Sequence, residues 1–165
     1  MRRRRLPEPA DPIRPEPGTG EPLAVALRAL NRREHSVAEI EAKLAERGFE
    51  SERVEAVVIE LVDSGVLDDE RFARAFATDK RELHGWGPGR IAGALAERGI
   101  STSLIDECCH EEEREGIVER AMELLRERAA PLGDDRERAR ALGFLTRRGF
   151  EYDVAYDAIK AARSG

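Results

Sequence analysis

The chain has 165 residues, with 28 lysines and arginines against 34 aspartates and glutamates and a formal net charge of −6. A molecule of that sign is a poor candidate for autonomous tight binding to naked DNA, so any nucleic-acid contact has to be local. Charged residues at 38% and aromatic residues at 5% suit solvent-laced helices better than a thick sandwich or sheet, and no apolar run approaches the ~20 residues of a membrane span.

Residues 1–20 carry Arg2 to Arg5 and then Pro7, Pro9, Pro12, Pro15 and Pro17 among acids and glycines. That composition cannot bury a core and reads as a disordered Arg/Pro-rich tail.

A first three-helix unit is predicted over 21–66. Pro22 suits a first helical turn, and Val25, Leu27 and Leu30 give a short helix ending near Asn31 to His35. Ser36 and Glu39 have the spacing of a capping box ahead of the stripe Val37, Ile40 and Leu44. Ser51 is the expected cap of the third helix. There Val54, Val57, Val58, Leu61 and Val62 keep a 3.6-residue period that outweighs the strand propensity of Val57-Val58-Ile59. Gly65 closes the unit.

The second unit spans 67–112. Asp68 is a good N-cap, with Asp69 and Glu70 where acids favour a helix start, and Phe72, Ala73, Phe76 and Leu83 mark the buried face. The turn Gly85-Trp86-Gly87-Pro88-Gly89 leads into Ile91 and Leu95. Ser101 caps a third helix with Leu104, Ile105, Cys108 and Cys109 inward. The third unit, 113–165, runs through Ile117, Val118, Ala121, Met122, Leu124 and Leu125 to Pro131. A helix capped by Asp134 or Asp135 follows, then a last one with Val154, Ala155, Ala158 and Ile159 inward.

One phrase recurs about every 50 residues: Leu44-Ala45-Glu46-Arg47-Gly48-Phe49, Leu95-Ala96-Glu97-Arg98-Gly99-Ile100 and Leu145-Thr146-Arg147-Arg148-Gly149-Phe150. It is a helix stop, with a basic residue in the last turn, a glycine just past the end and an apolar residue folding back. Three copies predict an all-α protein of three tandem three-helix repeats stacked into an elongated, curved rod, because small helical units bury in a stack the faces a lone unit would expose.

Arg47, Arg98 and Arg147 or Arg148 recur at one helical position and form a candidate row facing phosphates or an acidic partner, extended by Arg32, Arg33, Lys80, Arg81 and Arg90. Arg71 joins these candidates, and Trp86 is either a plug over the helix junction or a partner-facing anchor. Cys108-Cys109-His110 does not space ligands for one tetrahedral metal site, and adjacent cysteines make no disulfide framework, so packing and a reducing compartment are expected. No nucleophile partners His35 or His84, and Gly85 to Gly89 follows no strand. No enzyme, metal or cofactor is therefore expected, and with no membrane span or secretory leader read, the cytoplasm is the expected location.

Over residues 23–162 the chain resembles the RecX family of bacterial recombination regulators. The resemblance is carried most specifically by Leu67-Asp68-Asp69-Glu70-Arg71-Phe72-Ala73 and Gly87-Pro88-Gly89-Arg90-Ile91 with Leu95. Ala26 to Leu30, Ser36 to Ile40 and Phe144 to Phe150 support it. It implies a non-catalytic protein that binds the RecA filament on single-stranded DNA, lying in its groove and bridging protomers; a monomer is expected. It implies further that such a protein restrains ATP hydrolysis, strand exchange and the co-protease function behind the SOS response. An independent helical nucleic-acid-binding module is the alternative, prompted by the three-helix units and by Arg2 to Arg5.

Overall fold

The computed structural model describes residues 21–110 and 112–164, apart from the side chain of His110. The expected tail, 1–20, lies outside the described residues. The described residues form nine helices and no strand. The first triplet is α1 (Pro22–Leu30), α2 (Val37–Glu46) and α3 (Ser51–Asp63); the second is α4 (Asp69–Glu82), α5 (Pro88–Ala96) and α6 (Thr102–His110). The third is α7 (Arg114–Glu127), α8 (Asp135–Arg147) and α9 (Tyr152–Ser164).

The extensive helix-on-helix packing falls within triplets. Each helix of the first two packs on both of its companions, and α9 packs on both α7 and α8. Each triplet encloses its own core: Ile40, Leu44 and Leu61 in the first, Ala73, Ile91 and Leu95 in the second, Leu125, Leu145 and Ala155 in the third. Burying one such leucine or isoleucine stabilises by about 1.5–3 kcal/mol. A unit with so few of them depends on its neighbours.

Helix starts follow the side-chain chemistry. Pro22 and Pro88 stand in the first turns of α1 and α5. Ser36–Glu39 and Asp134–Glu137 form capping boxes, and the Asp68 side chain accepts the Arg71 amide. The Ser101 hydroxyl accepts the Leu104 amide at 3.4 Å.

Expectations at five residues need correction. Leu83 is 75% exposed because it is the C-cap of α4, where the periodic face ends and the chain turns toward Gly85. Val62 and Leu27 lie at the edges of their apolar stripes and are exposed. The cap of α3 is Glu50, with no side-chain bond, and Ser51 is the first helical residue. Leu67, expected to open the second unit, packs in the first core, drawn there by its amide bond to the Leu61 carbonyl.

Candidate partner-binding surface

The recurring phrase folds the same way each time. Gly48, Gly99 and Gly149 take φ of 81°, 74° and 90°, a left-handed turn that glycine enters without strain. The next amide returns to the leucine that opens the phrase: Phe49 to Leu44 at 3.3 Å, Ile100 to Leu95 at 3.2 Å, Phe150 to Leu145 at 3.2 Å. Phe49, Ile100 and Phe150 are buried as a result.

Two of these turns are also joints. The second turn docks on the start of α2, where the Ser36 hydroxyl donates to the Arg98 carbonyl at 2.6 Å. There Gly99 lies so near Ala38 that a Cβ on the glycine would fall 2.4 Å from the alanine's. The Val37 amide donates to Asp69 Oδ1 at 2.9 Å, so a carboxylate from α4 caps α2. The third turn docks on the start of α5 through the backbone: Gly87 N–H donates to the Arg148 carbonyl at 2.7 Å and Gly89 N–H to the Gly149 carbonyl at 3.0 Å. In both joints the carbonyl-rich end of one helix faces the amide-rich start of another, a favourable head-to-tail alignment of dipoles.

The candidate residues fall into four settings. Arg71, Arg81, Arg98 and Arg148 have partners in the scaffold. Arg71 donates to the Gly65 and Val66 carbonyls at 3.1 Å each, and Arg81 to the Cys108 carbonyl at 2.9 Å. Arg98 donates to the Ala94 carbonyl at 2.7 Å, and Arg148 to the His84 carbonyl at 2.5 Å.

Lys80, Trp86 and Arg90 build a ridge with Phe76. The Arg90 guanidinium carbon lies 4.1 Å from the Trp86 ring centre and Lys80 Nζ 5.7 Å from it, while Trp86 meets Phe76 edge-on at 6.4 Å. Trp86 is half-buried against the second core, so it packs beneath its turn while one face carries cations.

Arg32, Arg33 and Arg47 line a depression of about 390 Å³ in the first unit, where Arg28, Lys43 and His35 join them. His35 is buried, and burial holds its pKa below the ordinary value, so the ring is neutral and donates to the Arg33 carbonyl at 2.9 Å. Arg28 and Lys43 were not among the sequence candidates. Their signal was the i,i+4 pairing of Arg28 with Arg32 and of Lys43 with Arg47 on successive helices. Arg147 lies apart, in a cleft of about 560 Å³ between α7 and α8 with Arg128, Arg140 and Phe144.

The first two triplets match known domain families: residues 23–61 match "RecX, first three-helix domain" and residues 68–108 "RecX, second three-helix domain". Regulatory protein RecX of Halorhodospira halophila is 41% identical over 138 residues, covering 83% of this chain and 85% of the relative. The chain belongs to the RecX family. Regulatory protein RecX of Mycolicibacterium vanbaalenii is 33% identical over 168 residues, covering 94% of this chain and 91% of the relative. A crystal structure of RecX from Lactobacillus salivarius shares the fold with a TM-score of 0.77 at 18% identity, covering 87% of this chain and 96% of that one. A crystal structure of a regulatory protein RecX gives a TM-score of 0.71 at 27% identity, covering 85% and 70%.

The RecX scaffold accounts for the remaining chemistry-bearing side chains structurally. Cys108 and Cys109 are buried in the second core, and burial pushes the Cys109 thiol up, away from the reactive thiolate. Among the described residues no cluster of three His, Cys, Asp or Glu can hold a metal ion. No helix among them is long and apolar enough to cross a membrane.

Proposed function

We propose that this RecX protein is a non-catalytic regulator that binds the RecA filament on single-stranded DNA, lies in its groove and restrains ATP hydrolysis, strand exchange and the co-protease activity. The observation that carries the proposal is the joint. Helix starts and stop turns are tied by buried hydrogen bonds, Ser36 to Arg98 and Gly87 to Arg148, which gives a serial scaffold rather than beads on a flexible string. A stiff series of units suits repeated contacts along a polymer, because little ordering entropy is lost on binding. The Lys80–Trp86–Arg90 ridge is the proposed protein-facing contact, since an aromatic ring with cations on its face has the composition of interface hot spots.

The test is RecA ATPase and strand exchange with the full chain added at substoichiometric and equimolar ratios. Reduced rates are expected, and unchanged rates at both ratios would reject the proposal. Electron microscopy of the complex on single-stranded DNA checks the groove and whether one chain acts as a monomer there. Arg90→Ala, which leaves both joints intact, should weaken inhibition.

A further inference from the structure

The first unit holds a local reversal of the molecule's charge. Arg28 from the last turn of α1, Arg32 and Arg33 just beyond that helix, Lys43 from the last turn of α2 and Arg47 at its C-cap surround one depression of about 390 Å³. No carboxylate lines it. Glu39 lies outside that lining and is already engaged: Arg33 grips it through Nη1 at 2.9 Å and Nη2 at 3.3 Å, and Arg98 Nε stands 3.8 Å from its Oε1. Among the described residues no carboxylate pairs with Arg28, Arg32, Lys43 or Arg47.

Complementing helix dipoles accounts for one cation at each helix end, worth about 0.3–1 kcal/mol. It does not account for the convergence of cations from two helices, which repel one another. The other copies of the phrase sharpen the contrast. Arg98 and Arg148, which correspond to Arg47, donate to scaffold carbonyls, whereas Arg47 faces the depression.

We infer that this depression is a phosphate-binding site. Glu39 already has Arg33 and Arg98 as partners and does not pair with the other cations. Four further cations converging on one small space match an anion with more acceptor oxygens and more charge per volume, as phosphate provides. No Phe, Tyr or Trp lines the depression, and the His35 ring is buried and bonded to the Arg33 carbonyl, so the site offers little stacking surface for a base and would grip the backbone without reading sequence. Two sources share this chemistry, the phosphodiester backbone of a single strand and a free phosphoanion such as pyrophosphate.

The experiment uses the full chain without any recombinase, so its outcome is independent of the filament proposal. Fluorescence anisotropy with labelled oligo(dT) across a salt series measures binding, with pyrophosphate and polyglutamate as competitors. Salt-dependent binding is expected, displaced by pyrophosphate in preference to polyglutamate. The R28A/K43A double change should weaken it on the order of tenfold. Each cation removed should make the log–log salt dependence shallower by about 0.7. Arg126→Ala, on the exposed face of α7, should change nothing, and circular dichroism checks that every variant is folded. Calorimetric binding of pyrophosphate without oligo(dT) would also support the site and assign it to free phosphoanion. Binding of neither probe at low salt, binding unaffected by the double change, or preferential displacement by polyglutamate would each overturn it.

Discussion

Ser36 Oγ lies 2.6 Å from the carbonyl oxygen of Arg98, and the same hydroxyl oxygen accepts the Glu39 amide at 3.1 Å. One buried hydroxyl therefore closes the capping box of α2 and ties the first unit to the second. Ser36→Ala removes both bonds and leaves the Arg98 carbonyl without that donor, at an expected cost of about 1–2 kcal/mol, read from urea denaturation. Ser36→Asp keeps a cap acceptor but places a carboxylate against a carbonyl. It should be destabilising too, and wild-type stability for Ser36→Asp would show that the joint bond contributes nothing.

Glycine substitutions separate backbone strain from the joint itself. Gly65 has φ of 69°, and a Cβ added there would meet nothing within 4 Å, so Gly65→Ala should cost only the left-handed strain, about 1 kcal/mol. Gly149 has φ of 90°, and a Cβ there would fall 2.3 Å from the Arg90 amide nitrogen, which is backbone and cannot yield cheaply. Gly149→Ala should lower the melting temperature further than Gly65→Ala. It should also increase protease cutting around Gly85 to Gly89, because the joint has to open.

The stop phrase made three helical units readable, since its leucine, glycine and apolar residue act locally and each folds as its chemistry dictates. What the sequence left hidden was the second use of that phrase. Nothing in Arg98-Gly99 says that its carbonyl will meet Ser36, more than 60 residues earlier, and Asp69 reads as a dipole partner for α4 although it caps α2. The candidate cations were scattered for the same reason: a recurring position on a helix end is local information, while whether an arginine spends its donors on a neighbouring unit depends on tertiary placement. Leu83 shows the limit of periodicity, which cannot tell where a helix stops before its last apolar residue turns inward.

The first joint should also sense acid. Burial lowers the His35 pKa from its ordinary value near 6.5, with Arg33 and Lys43 acting in the same direction against the hydrogen bond to the Arg33 carbonyl and Glu39. Burial alone would raise the Glu39 pKa, but the hydrogen bond and charge of Arg33 and the Ser36 amide outweigh it, holding the group below its ordinary 4.5. For both groups the unfolded chain binds the proton more readily, so stability rises with pH. The His35 contribution is complete above about pH 6.5 and fades as pH falls below it, and that of Glu39 fades below about pH 4.5. Denaturation midpoints should therefore drop between pH 7 and pH 5. His35→Gln, which has no charge to gain, should flatten that interval, and an unchanged slope would assign the effect elsewhere.

Arg120 ties the third unit to the second through groups that are only partly exposed. It donates Nη1 to the Trp86 carbonyl at 2.8 Å, grips Glu112 through Nη2 at 2.6 Å and Nε at 3.1 Å, and stands 5.3 Å from the centre of the Phe150 ring. Glu112 also faces Arg81 Nε at 3.7 Å, and all three side chains are less than a quarter exposed. Arg120→Met keeps much of the packing but strips Glu112 of its closest partner and the Trp86 carbonyl of its donor, for an expected loss of about 1–3 kcal/mol. Glu112→Gln should cost less, because Arg120 keeps the Trp86 carbonyl and the Phe150 ring while Arg81 keeps its bond to the Cys108 carbonyl. Thermal denaturation ranks the two. The emission of Trp86, the chain's single tryptophan, should shift in Arg120→Met and stay near wild type in Glu112→Gln. The reverse order would mean that the carboxylate, and not the arginine, organises this joint.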